Sequence, residues 1–171
     1  ADAGIPSAVV SNFTWDWIIE PWAADDARWA RVHARLSAAY ARADILLRLP
    51  LGGGAPAVAR SADMPLVVRR PGLARAEVFA RLGLDASDPR PLAAFSLGGV
   101  GWTPEASARV DALEGWRFVA YTARPAGVSA DWIRLERRAD LRHSDIVAAS
   151  DAVFTKPGYG TLAESLAECA V

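Results

Sequence analysis

Residues Asp145 to Ala167 read DIVAASDAVFTKPGYGTLAESLA and divide into three physical parts. Residues 145–150 are typical of the last turns of a helix, and Ala152 to Thr155 form a short apolar strand. Residues 156–160 form a glycine-containing turn, and a new helix is predicted to begin at Thr161. Backbone N–H groups in a turn between a strand and a helix N-terminus can hold a phosphate, assisted by the helix dipole. The segment therefore predicts a nucleotide-sugar pocket.

Two interpretations of Thr161 and Glu164 follow from this pattern. The four residues Thr161 to Glu164 fit a capping box, in which the threonine caps the helix and the glutamate bonds back to the cap. Alternatively, Glu164 bonds to sugar hydroxyls on a phosphate that the turn holds. A capping box does not explain why Lys156, Gly158 and Gly160 precede the cap so closely. We therefore favour a binding site made of all five residues.

A second glycine turn, Ser96 to Gly101, follows an apolar strand at residues 91–96 and precedes a helix start at Thr103. Gly98 and Gly99 let the backbone approach a phosphate closely. An ordinary strand-to-helix turn is the alternative. The glycines fall as GGxG, which differs from the GxGxxG dinucleotide fingerprint.

A third candidate site lies in the aromatic segment Ser11 to Glu20, which follows the first predicted strand. Asn12 and Asp16 stand among tryptophans there, and aromatic faces beside polar groups are a common way to hold a sugar. The alternative is that the tryptophans pack in a domain interface. We expect Asn12 to Trp22 to form an aromatic loop or a broken helix that Pro21 ends.

Apolar runs alternate with helical patterns along the whole chain, which predicts an α/β fold with mostly parallel sheets covered on both faces. The predicted strands are Ile5–Ser11, Ile45–Leu49, Pro65–Arg69, Pro91–Ser96, Trp116–Thr122, Asp131–Leu135 and Ala152–Thr155. The predicted helices are Asp25–Arg42, Ala74–Leu82, one from Thr103 to near Leu113, Leu141–Ser150 and one from Thr161.

Composition excludes several function classes. The chain has 171 residues, of which 52% are hydrophobic and 23% charged, with a net charge of −1. A near-neutral chain lacks the basic surface that nucleic-acid binding requires. No apolar run is long enough to span a bilayer. The single cysteine, Cys169, excludes an internal disulfide and fits a reducing, cytoplasmic compartment. Both ends read as cut elements, so we expect a fragment of a longer protein.

The segment DIVAASDAVFTKPGYGTLAE resembles the nucleotide-binding motif of GT-B glycosyltransferases. The likeness extends to the bacterial N-acetylglucosaminyltransferase of peptidoglycan synthesis and to the glycosyltransferase-like domain of plant arabinokinases. Three further segments resemble the same family in the same order: SNFTWDWIIEPW (Ser11–Trp22), PLVVRR (Pro65–Arg70) and FSLGGVGW (Phe95–Trp102). The resemblance implies two Rossmann-like domains facing a cleft. Residues 1–62 would end the acceptor-side domain, and residues 63–171 would begin the nucleotide-sugar-binding domain.

The resemblance also implies residue roles. Gly98 and Gly99 match the family's glycine turn near the donor diphosphate, and Gly158, Gly160 and Thr161 match its second phosphate turn. Glu164 matches the acid that binds the ribose hydroxyls. The family's usual arginine in the second turn is Lys156 here. Asn12 and Asp16 fall in the loop that faces the cleft from the acceptor side. The resemblance leaves the general base unassigned, with Asp16 as a candidate.

The expected function is transfer of a sugar from a nucleotide diphosphate-sugar, UDP-linked by resemblance, to a hydroxyl of a small-molecule acceptor. No metal or other cofactor is expected, because helix N-termini and turn amides can stabilise the leaving diphosphate. The rival hypothesis is a non-catalytic nucleotide-sugar sensor attached to a sugar kinase. A nucleotide-sugar 2-epimerase would need more acids and a histidine in the cleft. His33 and His143 lack partners at ligand spacing and are interpreted as surface or packing residues.

Overall fold

The computed structural model describes residues 4–97, 101–136 and 138–168. The chain divides into two compact units, with the boundary between Val67 and Val68. We call these unit 1 and unit 2. Each contains its own parallel β-sheet and its own helices. The α/β class and the parallel sheets predicted from the sequence are confirmed. The assignment of the units to acceptor and donor sides stays a prediction.

The described strands of unit 1 form a parallel sheet in the order β1-β2-β3. They are β1 (Ala8–Ser11), β2 (Ile45–Arg48) and β3 (Ser61–Asp63), and the helices are α1 (Trp15–Ala23) and α2 (Ala27–Tyr40). The two helices follow one another between β1 and β2 and pack together. The most apolar strand, β2, is central, which fits its need for neighbours on both edges.

Local chemistry sets the limits of these helices. The Asp26 carboxylate accepts a hydrogen bond from the Arg28 backbone N at 2.7 Å, so Asp26 caps α2 instead of lying inside it. Pro21 lies within α1, and the helix continues to Ala23. The expectation that Pro21 ends the segment is therefore wrong. A proline this near the C-terminal end removes only one intrahelical bond, which the helix tolerates.

The strand predicted at Pro65–Arg69 is also wrong. The third strand of unit 1 is Ser61–Asp63, which pairs in parallel with β2. Arg48 Nε donates to Asp63 Oδ1 across this pair at 2.7 Å. Residues 65–69 are irregular, and Pro65 has no N–H to contribute to a ladder. The position of β3 depends on pairing with a strand earlier in the chain, which a local apolar pattern does not contain.

Unit 2 has four described strands, all parallel, in the order β6-β5-β4-β7. The strands are β4 (Leu92–Ser96), β5 (Arg117–Ala120), β6 (Asp131–Arg134) and β7 (Ala152–Thr155). The helices are α3 (Arg75–Leu82), α4 (Pro104–Asp111), α5 (His143–Ala149) and α6 (Tyr159–Glu168). Strands and helices alternate along the chain except at β5 and β6, which follow one another directly, as the sequence pattern predicts.

Both faces of the unit 2 sheet are covered by helices. Side chains alternate between the faces of a strand, so Leu92 and Ala94 pack with α3 and α5 in one apolar cluster. Ala93 and Phe95 point to the opposite face and pack with Phe118 and with Val110 of α4. A strand that is buried on both faces has no solvent-exposed face for polar side chains. This explains the continuous apolar run from Leu92 to Phe95.

Two predicted helix ends of unit 2 are confirmed and one is wrong. Gly83 ends α3 with a φ of 70°, a conformation that glycine adopts without strain. Thr103 Oγ1 accepts from the Ala106 backbone N at 3.2 Å and caps α4. The last helix begins at Tyr159 instead of Thr161, and Leu162 N donates to Gly158 O at 3.1 Å. Gly158 therefore occupies the capping position.

Candidate functional site

The carboxyl ends of β4 and β7 lie side by side at one edge of the unit 2 sheet. Ser96 and Thr155 end these strands and are direct partners in the ladder, and Thr155 Oγ1 donates to Ser96 O at 3.1 Å. From β4 the chain moves through β5 to β6, whereas β7 returns to the other side of β4. The strand order reverses here, which is where open parallel sheets bind ligands.

A cavity of about 710 Å³ opens at the same edge of the sheet. Ser96 and Leu97 contribute to it from the end of β4, and Tyr121 and Thr122 contribute from the end of β5. This volume lies within the range of about 300–1,000 Å³ that small-molecule sites usually have. We call this space the carboxyl-edge cavity.

The carboxyl-edge cavity carries positive charge. Arg69, Arg138 and Arg142 line it, and none of its described lining residues is acidic. Arg138 is engaged with Asp140 at 2.6 Å. Arg69 and Arg142 are exposed and form no ion pair with any carboxylate in the described part of the chain. Free guanidinium groups with no acid beside them favour an anionic ligand.

A chain of hydrogen bonds connects this cavity to α6. Ser96 Oγ lies 3.0 Å from His143 Nε2, and His143 Nδ1 lies 2.9 Å from Glu164 Oε2. The side chain of His143 is 24% exposed and that of Glu164 is 8% exposed. The ring of Tyr121 stacks on the imidazole with centroids 6.3 Å apart. His143 is thus fixed through both nitrogens and faces the cavity.

His143 is interpreted from the sequence as a surface or packing residue without partners, and the structure gives it two side-chain partners. It lines the cavity and contacts side chains that lie 47 and 21 residues away in the chain. No local pattern reports such contacts. The signal that was present is the position of His143 at a predicted helix start beside two glycine turns, together with an acid on the last helix.

The capping-box interpretation of Thr161 and Glu164 is wrong as well. Both residues lie inside α6, which begins at Tyr159. Glu164 is buried and bonds to His143 instead of the helix N-terminus. Its second oxygen, Oε1, has no hydrogen-bond partner among the described residues. The role of Glu164 in binding ribose stays a prediction.

The turn between β7 and α6 and the first turn of α6 hold the other candidate residues. Lys156 and Gly160 are exposed, and Gly158 and Thr161 are half-buried. A Cβ at Gly160 would meet nothing within 4 Å, and one at Gly158 would meet only Lys156 O at 3.9 Å. Packing within the described chain therefore does not require glycine at either position. Gly98 and Gly99 lie outside the described residues.

The two candidates in unit 1 are held by that unit's own contacts. Asn12 Nδ2 donates to Leu51 O at 3.4 Å, and Asn12 O accepts from Gly53 N at 2.8 Å. Asp16 lies in α1 with no exposed surface, and its Oδ2 accepts from Ser37 Oγ at 3.3 Å. Its Oδ1 has no partner in the described chain. The structure therefore gives Asp16 no access to a ligand, and its catalytic role stays a prediction.

A second cavity, of about 310 Å³, lies at the amino ends of β5 and β6. Its charged groups already pair with one another: Arg90 contacts Asp88 and Asp131, each at 2.7 Å. The guanidinium of Arg117 is 2% exposed and bonds to the backbone oxygens of Asp85 and Arg90. These groups bind each other, so this cavity is the weaker candidate.

No group of three or more His, Cys, Asp or Glu side chains in the described ranges is placed to hold a metal ion. None of the helices among the described residues is long and apolar enough to cross a bilayer.

Comparison with known proteins gives one informative relation. The chain is 34% identical, over 174 aligned residues, to L-arabinokinase from Arabidopsis thaliana. The alignment covers 97% of this chain and 16% of that protein, so the chain spans only a small part of the relative's length. No protein-family profile and no solved structure matches the chain. The resemblance to a plant arabinokinase is thereby confirmed, and the GT-B assignment stays a prediction.

Proposed function

We propose that unit 2 binds a nucleoside diphosphate-sugar at the carboxyl edge of its sheet. The observation that carries this proposal is the carboxyl-edge cavity, where Arg69 and Arg142 have no acidic partner in the described chain. A diphosphate that links a nucleoside to a sugar carries two negative charges and no proton to lose near neutral pH. Such a group matches two free guanidinium groups, each of which can donate two parallel hydrogen bonds.

The surrounding architecture supports the same ligand class. The N-terminus of α6 and the glycines before it lie next to the strand that pairs with the cavity-lining Ser96. Exposed amides at a helix start stabilise phosphate oxygens. The aromatic ring of Tyr121 and the apolar side chains of Phe95 and Leu97 provide surface for the less polar parts of the ligand.

We propose further that the binding site regulates a sugar kinase in the same protein and has no transferase activity of its own. The support is the similarity to a region of L-arabinokinase that makes up 16% of that enzyme. A nucleotide-sugar site in a protein that phosphorylates a sugar suits a sensor, because a nucleotide-sugar is a product that sugar phosphorylation ultimately feeds. Bound ligand would then report the supply of activated sugar to the kinase.

Calorimetric titration of the protein with UDP-glucose, GDP-mannose and UDP tests the binding proposal. We expect saturable binding of at least one diphosphate-sugar. Arg142→Gln should weaken binding by about tenfold or more, because hydrogen bonds between charged groups are worth about 1.5–3 kcal/mol. The matched control is Arg109→Gln, an exposed arginine of α4 outside the cavity. Equal affinity in the two variants contradicts the proposal.

Glycosyl transfer is the second candidate function. The observation that favours it is His143, whose contacts on both ring nitrogens suit a group that moves a proton at the cavity. Incubating the full-length protein with UDP-glucose and free monosaccharides separates the two functions. A transferase releases UDP and forms a glycoside. A regulatory site changes the rate of sugar phosphorylation and leaves UDP-glucose intact.

A further inference from the structure

The bond between Glu164 and His143 fixes the orientation of the imidazole at the cavity. His143 Nδ1 lies 2.9 Å from Glu164 Oε2, and an ionised carboxylate only accepts hydrogen bonds, so Nδ1–H is the donor in that pairing. Nε2 then faces Ser96 Oγ, 3.0 Å away, and both residues line the cavity. A ligand in the cavity therefore meets an imidazole whose orientation is set by Glu164.

We infer that His143 and Ser96 together bind a phosphate oxygen of the ligand, and that Glu164 is a positioning residue that acts through His143. This inference rests on the proposed nucleotide-sugar function and deepens it. It assigns the phosphate contact to His143, which no motif marks, and to Ser96, which begins the glycine turn at residues 96–101. It also gives Glu164 a role different from the ribose contact that the family resemblance implies.

Burial and direction of contact support this assignment. His143 and Ser96 both line the carboxyl-edge cavity, whereas Glu164 does not line it. Glu164 is 7% exposed and lies behind the imidazole, with one oxygen already bonded to Nδ1. The contact with Glu164 fixes the ring orientation, so Nε2 and Ser96 Oγ are presented to the cavity together. Hydrogen bonds to a charged phosphate are about twice as strong as those between neutral groups.

The other groups around His143 hold the ring in place and make the cavity positive. Tyr121, after β5, stacks on the imidazole ring. Arg69, Arg138 and Arg142 line the same cavity and favour an anionic ligand beside His143.

The test is calorimetric titration of UDP-glucose into the wild-type protein, His143→Gln, Glu164→Gln and Ser96→Ala. The matched control is His33→Gln, which removes the chain's other histidine, located on α2 of unit 1. His143→Gln, Glu164→Gln and Ser96→Ala should each weaken binding by about tenfold, the expected loss for one hydrogen bond to a charged group. His33→Gln should match the wild type.

Inorganic pyrophosphate separates this role of Glu164 from direct ribose binding. If Glu164 acts through His143, Glu164→Gln weakens pyrophosphate and UDP-glucose alike. If Glu164 bonds the ribose, the variant weakens UDP-glucose only, and that result overturns the inference while the proposed function stands. An unchanged affinity in His143→Gln also overturns it. A wild-type protein that binds no diphosphate-sugar rejects the proposed function, and the inference falls with it.

Nitrogen NMR of the imidazole groups keeps the test decisive if a variant fails to fold. The chain contains two histidines, and His33→Gln assigns the signals. UDP-glucose should shift the Nε2 signal of His143 and leave the signals of His33 in place. An Nε2 signal that is unchanged at saturating ligand contradicts a phosphate contact.

Discussion

Trp17 and the glycines beneath it show how one side chain constrains a loop. A Cβ built at Gly53 or at Gly54 would collide with the Trp17 ring, and one at Gly52 would lie 2.5 Å from Asn12 O. The three glycines therefore let the backbone pass directly under the ring and next to Asn12. This is a packing requirement that a run of three glycines does not reveal in the sequence.

We predict that Gly53→Ala destabilises the protein by about 1–3 kcal/mol, the usual cost of forcing an extra carbon into a packed site. Chemical denaturation measures this change. Gly101→Ala is the matched control, because a Cβ there meets nothing within 4 Å and its φ is not positive. If both variants lose the same stability, the close approach of Trp17 is not the cause.

At Gly160, in contrast, we expect that replacement by alanine increases the stability of the protein. This glycine lies in the first turn of α6 with open space around its Cα, so alanine should raise stability by up to about 1 kcal/mol through helix propensity. If a ligand phosphate approaches the turn, the same methyl group should weaken UDP-glucose binding. Melting temperature and calorimetry on Gly160→Ala measure the two effects. Undiminished affinity would place the ligand elsewhere.

We predict that the folded protein loses stability in acid when Asp88 becomes protonated. The side chain of Arg90 and its backbone N–H hydrogen-bond to this carboxylate, and they lower its pKa from 3.8 to about 2. A carboxyl whose folded pKa is depressed stabilises the fold above the unfolded value, and this stability is lost as the pH falls from 3.8 towards 2. Melting temperatures over this range should fall less steeply for Asp88→Asn than for the wild type. Parallel curves would contradict the prediction.

At the scale of elements, Asp145 joins α5 to the start of unit 2. One of its oxygens accepts from Gly72 N at 2.6 Å and Leu73 N at 3.2 Å, and the other accepts from Arg142 N at 2.9 Å. The carboxylate is 2% exposed. It therefore fixes the irregular segment before α3 to the helix that carries His143.

We predict that Asp145→Ala lowers the free energy of unfolding by about 3 kcal/mol or more, because it removes the charged acceptor of three backbone N–H groups. Asp145→Asn keeps one acceptor oxygen and should lose less. Urea denaturation of both variants measures the difference. An asparagine variant as stable as the wild type would show that the carboxylate contributes through its volume alone.

The sequence predicts an element well when the residues that determine it lie close together in the chain. Strand Ala152–Thr155 and the stop of α3 at Gly83 follow from short-range patterns, and both match the structure. Strand Ser61–Asp63 is set by pairing with β2, and the start of α6 by a cap that glycine supplies through its backbone. Neither cause leaves a side-chain signature in the sequence.

The candidate site likewise contains some residues that the sequence predicts and others that it does not. The turn between β7 and α6 and the acid at Glu164 are visible in the sequence, because glycines and helix starts have recognisable patterns. The importance of His143, Arg69 and Arg142 depends on which loops meet at the cavity. These loops come together because the strand order places β4 between β5 and β7. Strand order is a property of the whole sheet and is not encoded in any single segment.

At the scale of the whole molecule, the two ends of the unit 2 sheet differ in charge pairing. At the amino ends, Arg90 and Arg117 bond to neighbouring carboxylates and backbone oxygens. At the carboxyl ends, Arg69 and Arg142 have no such partner in the described chain. The arginines at the amino ends thus stabilise the fold, whereas Arg69 and Arg142 at the carboxyl ends remain available to bind an anionic ligand.

The most direct measurement is the structure of the protein in complex with UDP-glucose. Our account predicts that the diphosphate lies in the carboxyl-edge cavity, within hydrogen-bond distance of Arg142 and His143, with the β7–α6 turn beside it. A diphosphate bound at the amino ends of the strands near Arg117, or on unit 1, would contradict the account.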